Sequence, residues 1–183
     1  MHGLPSFPAG RPVPPPAPEP LVVRGVSLRH ARDADLPALA RLYADTRAEE
    51  LAPLPWPPAA KQAFTDQQFA LQHRHYLSHH ADADFLVLLH GDALVGRYYL
   101  QRGAGEDLVV DISLLAEWRG QGLGGALLAS SQRAAAAPGR GLCLHVLRWN
   151  LGAQRLYARL GFAPEEDGGT DTHQFMRWRP PLS

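Results

Sequence analysis

A glycine-rich segment, running from Arg119 to Gly125, constrains this chain more than any other feature. It follows an apolar run at residues 108–115 and precedes a stretch of small residues at 126–137, so the pattern predicts a strand, a tight turn and a helix. The first N–H groups of a helix have no partner within the helix, and the helix dipole makes that end positive. Because glycine has no side chain, a diphosphate can approach this backbone closely. The segment is therefore predicted to bind an anion.

Other interpretations of the same glycines are weaker. A dinucleotide loop needs G-x-G-x-x-G with an acidic residue about 20 positions later, and a Walker loop needs Gly-Lys-Ser/Thr. The glycines at 120, 122, 124 and 125 have neither spacing. A glycine-rich turn that binds nothing stays open, because glycine also serves turns and close packing.

The rest of the chain alternates strands and helices. Strands are predicted at residues 26–29, 85–90, 93–101, 108–115, 142–147 and 173–178, and helices near 36–43 and at 59–79, 126–137 and 153–160. Gly161 is a stop signal for the last helix. The order β-α-α-β-β-β-α-β-α-β predicts the α/β class, with a mixed sheet and helices on both faces.

Residues 1–24 differ in composition from the rest. Eight prolines lie between Pro5 and Pro20, and proline removes backbone donors and fixes φ. We expect a disordered Pro-rich leader at 1–24, with a ligand for a proline-binding module as the alternative, and a single domain at 25–183.

Charge and cysteine content exclude several classes of partner. The formal net charge is zero and the sequence pI is about 7.1, so neither nucleic acid nor a membrane surface is expected as a partner. No apolar run is long enough to span a membrane, and the N-terminus lacks the pattern of a secretory signal. Cys143 is the only cysteine, so a cytoplasmic location is expected. His75 and His79 have zinc-compatible spacing without an acidic or cysteine ligand nearby, and no metal is expected.

Two blocks of sequence resemble the GCN5-related N-acetyltransferase (GNAT) superfamily. The segment from Arg119 to Gly124 fits the family signature Q/R-x-x-G-x-G/A. About thirty residues later, the segment from Asn150 to Phe162 resembles the family pattern N-x-x-A-x-x-L-Y-x-x-x-G-F. A helix and a strand separate the blocks, as in the family, and the resemblance covers residues 26–178.

The resemblance implies a fold and a co-substrate. The fold is a central, mostly antiparallel sheet with a splayed strand pair, flanked by helices, and acetyl-CoA lies in the splay. The residues that would bind acetyl-CoA are Ile112, Ser113, Leu114, Arg119, Gly120, Gln121, Gly122, Leu123, Gly124, Gly125 and Asn150. Asn150 has an alternative role as a helix cap, which asparagine favours.

The resemblance also implies an N-acetyltransferase in which a primary amine attacks acetyl-CoA directly in a ternary complex. Tyr157 stands where many members have a tyrosine general acid, and a phenol can protonate a leaving thiolate. Packing of the last helix is the alternative for Tyr157. The alternative for the whole chain is a non-catalytic acyl-CoA-binding sensor or regulatory module.

The general base is open. His145 stands where several relatives have a glutamate, and an imidazole can accept a proton at neutral pH. Asp111 lies within an apolar strand, where a carboxylate needs either a partner, such as one of the many arginines, or a function. Cys143 has no neighbour in sequence that would activate it, so an acyl-cysteine intermediate is not expected.

The acceptor is a small-molecule or peptide amine that the sequence does not identify. In the family, the first two helices and their loop shape the acceptor site. Residues that would line it here, or would only pack the helices, are Trp56, Phe64, Phe69, His73 and Tyr76. Some members form homodimers, but no decisive interface patch is visible here.

Overall fold

The structure, a computed structural model, describes residues 3–10 and 13–181. Its strands form one sheet in the order β1-β2-β3-β4-β5-β7-β6. Their bounds are β1 Val26–His30, β2 Asp84–His90, β3 Ala93–Gln101, β4 Glu106–Leu114, β5 Gly141–Leu147, β6 Ala163–Pro164 and β7 His173–Trp178. Neighbouring strands are antiparallel except β4 and β5, which are parallel. The predicted mixed, mostly antiparallel sheet is confirmed.

Helices cover both faces of this sheet. They are α1 Glu19–Val22, α2 Leu36–Leu51, α3 Pro58–His79, α4 Leu123–Ala136 and α5 Leu151–Arg159. Successive strand residues point to opposite faces, so Leu86 packs toward α1, α4 and α5 while Val87 packs toward α2 and α3. Each face therefore has its own apolar core, and the helices predicted from the sequence lie where expected.

The pair β4 and β5 opens toward one end, which confirms the predicted splay. Their pairing runs from Glu106 opposite Gly141 to Val109 opposite Leu144. Beyond that point β4 continues to Leu114 and β5 to Leu147 without pairing to each other. The glycine turn follows β4 after one 3₁₀ turn at Ala116–Trp118, so it lies at the open end of the splay.

A bulge in β4 decides which way its polar residues face. Tyr99 of β3 lies opposite Asp111, but Leu100 lies opposite Val109, so Val110 is an extra residue in β4. Without the extra residue, alternation would point residue 111 into the apolar core beneath α4 and α5. With it, Asp111 shares the α3 face with Tyr99.

The segment before β1 is packed against the domain. Leu21 of α1 is fully buried in the core beneath α4, and the ring of Phe7 contacts the rings of His73 and Phe85. Described residues of the predicted leader at 1–24 thus contact the domain, and the division into a leader and a domain at 25–183 stays a prediction. Proline restricts φ but leaves neighbouring apolar side chains free to pack. A proline-rich composition therefore does not prevent Phe7 and Leu21 from making these contacts.

Candidate active site

The glycine turn presents open backbone at the start of α4. Gly120 and Gly122 have φ values of +70° and +82°, and Gly122 is the N-cap of α4. A Cβ at either position would meet no heavy atom within 4 Å, so the space above the turn is free. A left-handed backbone, free space and the N–H groups of the first helical turn together fit a diphosphate.

The two later glycines join the turn to the splay. A Cβ at Gly124 would lie 3.5 Å from Cδ1 of Ile112, and one at Gly125 would lie 3.6 Å from Cδ1 of Leu156. The first turn of α4 therefore touches both β4 and α5. This contact brings the two sequence blocks of the predicted donor site together in space.

Arg119 faces away from the turn that it begins. Its Nε donates to the carbonyl oxygen of Leu114 at 2.8 Å, and its Nη2 forms an ion pair with Asp45 of α2. Asp45 also accepts from the backbone N–H of Ala116 at 3.0 Å. The Arg119 guanidinium thus anchors the end of β4 to α2.

Tyr157 is held by the end of α5. The N–H of Phe162 donates to the Tyr157 carbonyl at 3.0 Å, the N–H of Gly161 donates to the Ala158 carbonyl at 3.0 Å, and Gly161 has φ +83°. This is a Schellman ending, in which the rings of Tyr157 and Phe162 pack together at 6.0 Å. The predicted helix stop at Gly161 is confirmed.

The Tyr157 phenol is buried but has no hydrogen-bond partner among the described residues. By contrast, the buried Tyr98 hydroxyl bonds to Ser131 Oγ at 2.7 Å. Burial, together with the nearby negative charge of Asp111, raises the pKa of Tyr157 to about 12. Tyr157 therefore keeps its proton at neutral pH.

Asp111 is the centre of a polar network. Its carboxylate accepts from Arg97 at 2.8 and 3.1 Å, from the Tyr76 hydroxyl at 2.7 Å and from Ser113 Oγ at 2.7 Å. Arg97 also donates to Gln72 at 2.6 Å, and its side chain is only 3% exposed. The arginine partner considered for Asp111 exists, and it occupies both carboxylate oxygens.

Sequence reasoning missed Arg97 and Gln72 in this network. The residues around Arg97 in its strand are apolar or aromatic. The residues before and after Asp111 are apolar as well. Two opposite charges in adjacent buried strands are a signal that could have paired them. Gln72 carries no comparable signal in a helix with many polar residues.

His145 lies on the facing strand of the splay. Its neighbours Leu144 and Val146 point into the core beneath α4 and α5, so His145 points to the opposite face, as Asp111 does. Its Nε2 bonds to the carbonyl of Gly168 at 3.0 Å, and its ring packs on Phe175 at 4.8 Å. A carbonyl only accepts, so Nε2 carries the proton in neutral His145 and Nδ1 has the free lone pair.

Asn150 is the N-cap of α5. Its Oδ1 accepts from the backbone N–H of Ala153 at 3.1 Å. The capping role considered from the sequence is therefore present. The side-chain amide donates no hydrogen bond within the described part of the chain, so its N–H groups are free to meet a ligand.

The residues suggested for the acceptor site divide into two groups. Phe69 and His73 are buried and pack the helices, and His73 also bonds to the Pro5 carbonyl at 2.8 Å. Trp56 is 42% exposed and packs edge-on against Phe64 at 5.5 Å, while Tyr76 reaches Asp111. Trp56, Phe64 and Tyr76 are thus more accessible than Phe69 and His73.

Three further observations concern metal binding, membrane helices and the single cysteine. Over residues 3–10 and 13–181, no cluster of three His, Cys, Asp or Glu side chains is arranged to hold a metal ion, and no helix is long and apolar enough to cross a membrane. Cys143 is buried, and burial raises the pKa of its thiol to about 12.

Comparison with known proteins gives a family match for part of the chain. Residues 81–164 match the family model of the acetyltransferase (GNAT) domain. No curated protein matches the chain. Acetyl-CoA, the co-substrate that the family resemblance implies, is supported by this match and by a similar structure that was solved in complex with coenzyme A.

Solved structures of acetyltransferases have the same fold. The PaiA N-acetyltransferase of Thermoplasma acidophilum, solved in complex with coenzyme A, has a TM-score of 0.63 at 17% identity over 84% of this chain and 98% of its own. An acetyltransferase of Thermus thermophilus has a TM-score of 0.59 at 20% identity, covering 84% and 96%. The ribosomal-protein-S18-alanine N-acetyltransferase of Escherichia coli has a TM-score of 0.56 at 20% identity, covering 86% and 96%. This chain therefore has the fold of these acetyltransferases, and its residues 81–164 match the GNAT acetyltransferase domain.

Proposed function

We propose that this protein is an N-acetyltransferase that moves the acetyl group of acetyl-CoA to a primary amine, by direct attack in a ternary complex. The observation that carries the proposal is the open glycine turn at the point where β4 and β5 part, with the buried phenol of Tyr157 beside the same gap. A phosphate site, a slot between strands and a protonated acid are the three parts that such a transfer needs.

The donor side binds mainly through backbone. The N–H groups of residues 121–125 hold the diphosphate, and the unpaired edge of β4 at Ile112, Ser113 and Leu114 bonds to the pantetheine arm like an added strand. The free amide of Asn150 donates to the same arm. The backbone N–H of Leu114 or a neighbour donates to the thioester carbonyl oxygen as negative charge develops on it.

His145 is the favoured base in this proposal. The amine nitrogen attacks the thioester carbon, and Nδ1 of His145 accepts the proton that the nitrogen loses. Asp111 is less suited to this step because Arg97, Tyr76 and Ser113 already bond to its oxygens. Asp111 and Arg97 instead fix the wall of the site on the α3 side.

Tyr157 completes the transfer. As the carbon–sulfur bond breaks, the phenol gives its proton to the sulfur, so coenzyme A leaves as a thiol. The proton accepted by His145 returns through solvent to the phenolate, and one proton in total has moved from the amine to the sulfur. Because burial holds the pKa of Tyr157 at about 12, the acid is ready at neutral pH.

The acceptor is a small-molecule or peptide amine that enters from the α2 and α3 side. The exposed ring of Trp56 packs on the half-buried ring of Phe64 there, and the loop between α2 and α3 forms the rim of the acceptor site. A location in the cytoplasm, where acetyl-CoA is available, is part of the proposal.

The decisive experiment combines calorimetry with a thiol-release assay on the purified full chain. We expect acetyl-CoA to bind and thiol to appear with at least one member of a panel of small amines and peptides. Binding without turnover on any amine would favour the acyl-CoA sensor instead. Absence of binding would overturn the proposal and leave the glycine turn as a structural feature.

A further inference from the structure

The segment before β1 reaches the glycine turn from outside the matched domain. Leu21 of α1 is fully buried in the same core as Leu123, the first residue of α4. After α1 the chain turns, with Arg24 N–H donating to Leu21 at 3.1 Å and Gly25 N–H donating to Val22 at 2.9 Å. The anchored helix and the turn place Arg24 next to the start of α4.

Arg24 contacts the turn through Gln121. Its Nη1 donates to Gln121 Oε1 at 3.1 Å, across 97 positions of sequence. The Gln121 amide in turn donates to the carbonyl of Glu117, which fixes the orientation of the side chain. The guanidinium is therefore held at the edge of the free space above Gly120 and Gly122.

The charge of Arg24 is not neutralised by a neighbour. Within the described residues, no carboxylate lies at ion-pair distance from Arg24, and the residue is exposed. Arg119, the cation within the turn itself, is already paired with Asp45. Among the described arginines and lysine, Arg24 is the one whose side chain hydrogen-bonds to residues 120–125, and its charge is not paired.

We infer that Arg24 is a phosphate-binding residue of the acetyl-CoA site, an inference that rests on the proposed function. A guanidinium binds phosphate oxygens in a two-pronged geometry and loses less hydration energy than an ammonium. When acetyl-CoA binds, one Arg24 donor moves from Gln121 to a phosphate oxygen. The segment before β1 is then part of the donor site rather than an appendage.

Coenzyme A carries two phosphate groups that Arg24 could contact, the diphosphate and the 3′-phosphate. The position of Gln121 within the turn favours the diphosphate, because that group lies over the free N–H groups of α4. Dephospho-coenzyme A lacks only the 3′-phosphate, so comparing its binding with that of coenzyme A shows which phosphate group Arg24 contacts.

The test measures binding of coenzyme A and of dephospho-coenzyme A by calorimetry, for the wild type, R24Q, R24K and a matched control, R133Q. Arg133 is an exposed arginine on the far end of α4. We expect R24Q to weaken coenzyme A binding about 5- to 10-fold, R24K to lose less, and R133Q to match the wild type. The loss should shrink as salt is raised.

The outcomes distinguish a failure of the Arg24 inference from a failure of the proposed function. An equal loss for both ligands places Arg24 on the diphosphate, and a loss seen only with coenzyme A places it on the 3′-phosphate. If wild type and R24Q bind equally well, the inference is wrong while the proposed function stands. If the wild type binds neither ligand, both are wrong. Because Arg24 is exposed, R24Q should unfold at the same denaturant concentration as the wild type, which excludes misfolding as the cause of a loss.

Discussion

The two sides of the splay differ in the groups that they present: backbone N–H groups on one side and side chains on the other. On the proposed donor side, the glycine turn presents backbone N–H groups and free space, from residues that are consecutive in sequence. On the acceptor side, Asp111, Arg97 and Tyr76 come from three separate elements and meet through side chains. Backbone sites are visible as motifs because local conformation is set by neighbouring residues. Side-chain networks require the strand register before they can be seen.

Breaking the acceptor-side network should give the largest effect on stability. R97L leaves the buried Asp111 carboxylate without its cation, and we expect the free energy of unfolding to fall by about 3–5 kcal/mol. Urea denaturation measures the change. The control is R47L, which removes the more exposed pair of Arg47 with Glu50 and should cost at most about 1 kcal/mol. Equal losses in the two variants would show that the network is not a structural support.

Removing the Tyr157 hydroxyl, the proposed general acid, tests whether the donor and acceptor sides of the splay act in one reaction. Tyr157→Phe deletes only the hydroxyl, and we expect kcat to fall about 100-fold because the thiolate must then leave without a proton donor. The Kd for acetyl-CoA should change little. A loss of affinity as large as the loss of rate would make Tyr157 a binding residue. The same substitution at Tyr98, whose hydroxyl bonds to Ser131, is the control for packing.

Comparison of His145 with Asp111 sharpens the assignment of the base. We expect H145Q to lower kcat about 10- to 100-fold, with the loss smallest at alkaline pH, where more of the amine is already deprotonated. D111N should reduce stability more than H145Q, since Asp111 is the more buried and more heavily bonded residue. Rate profiles between pH 6 and 10, with denaturation curves for both variants, check this. If D111N removes the pH dependence and H145Q keeps it, the base is Asp111.

A side chain placed in the free space of the turn tests the backbone site. Gly122→Asp adds bulk, negative charge and an unfavourable left-handed conformation, and we expect acetyl-CoA affinity to fall at least about 10-fold. Gly139→Asp is matched to it, because Gly139 has φ +74° and open space but lies at the other end of α4. Calorimetry should show a loss of affinity for the first variant only. A similar loss in both would indicate backbone strain rather than a phosphate site.

The smallest expected effect concerns Asn150, which caps α5 and is proposed to bind acetyl-CoA as well. Asn150→Asp keeps the oxygen that caps α5 but removes the amide donor, so stability should change by less than about 0.5 kcal/mol. Acetyl-CoA affinity should fall about 3-fold. Asn150→Ala, which removes the cap as well, should cost about 1 kcal/mol of stability. Unchanged affinity in the aspartate variant would leave Asn150 as a helix cap alone.

The segment before β1 shows where composition misleads. Its prolines predict extended chain, yet Leu21 and Phe7 are packed against the two cores. Whether such a segment packs against the domain depends on the burial of a few apolar side chains. The number of prolines does not indicate how many apolar side chains can be buried. Arg24 was consequently absent from the residues predicted to bind the donor.

By itself, the sequence determined the order of the elements, the glycine turn before α4, the helix stop at Gly161 and the general place of Tyr157. These follow from local rules: hydrophobic period, the freedom of glycine at positive φ, and capping. The tertiary structure alone decided that Asp111 pairs with Arg97, that His145 shares its face, and that Arg24 reaches the turn. A one-residue bulge reverses the face of a strand, and no local pattern in β4 announces that register.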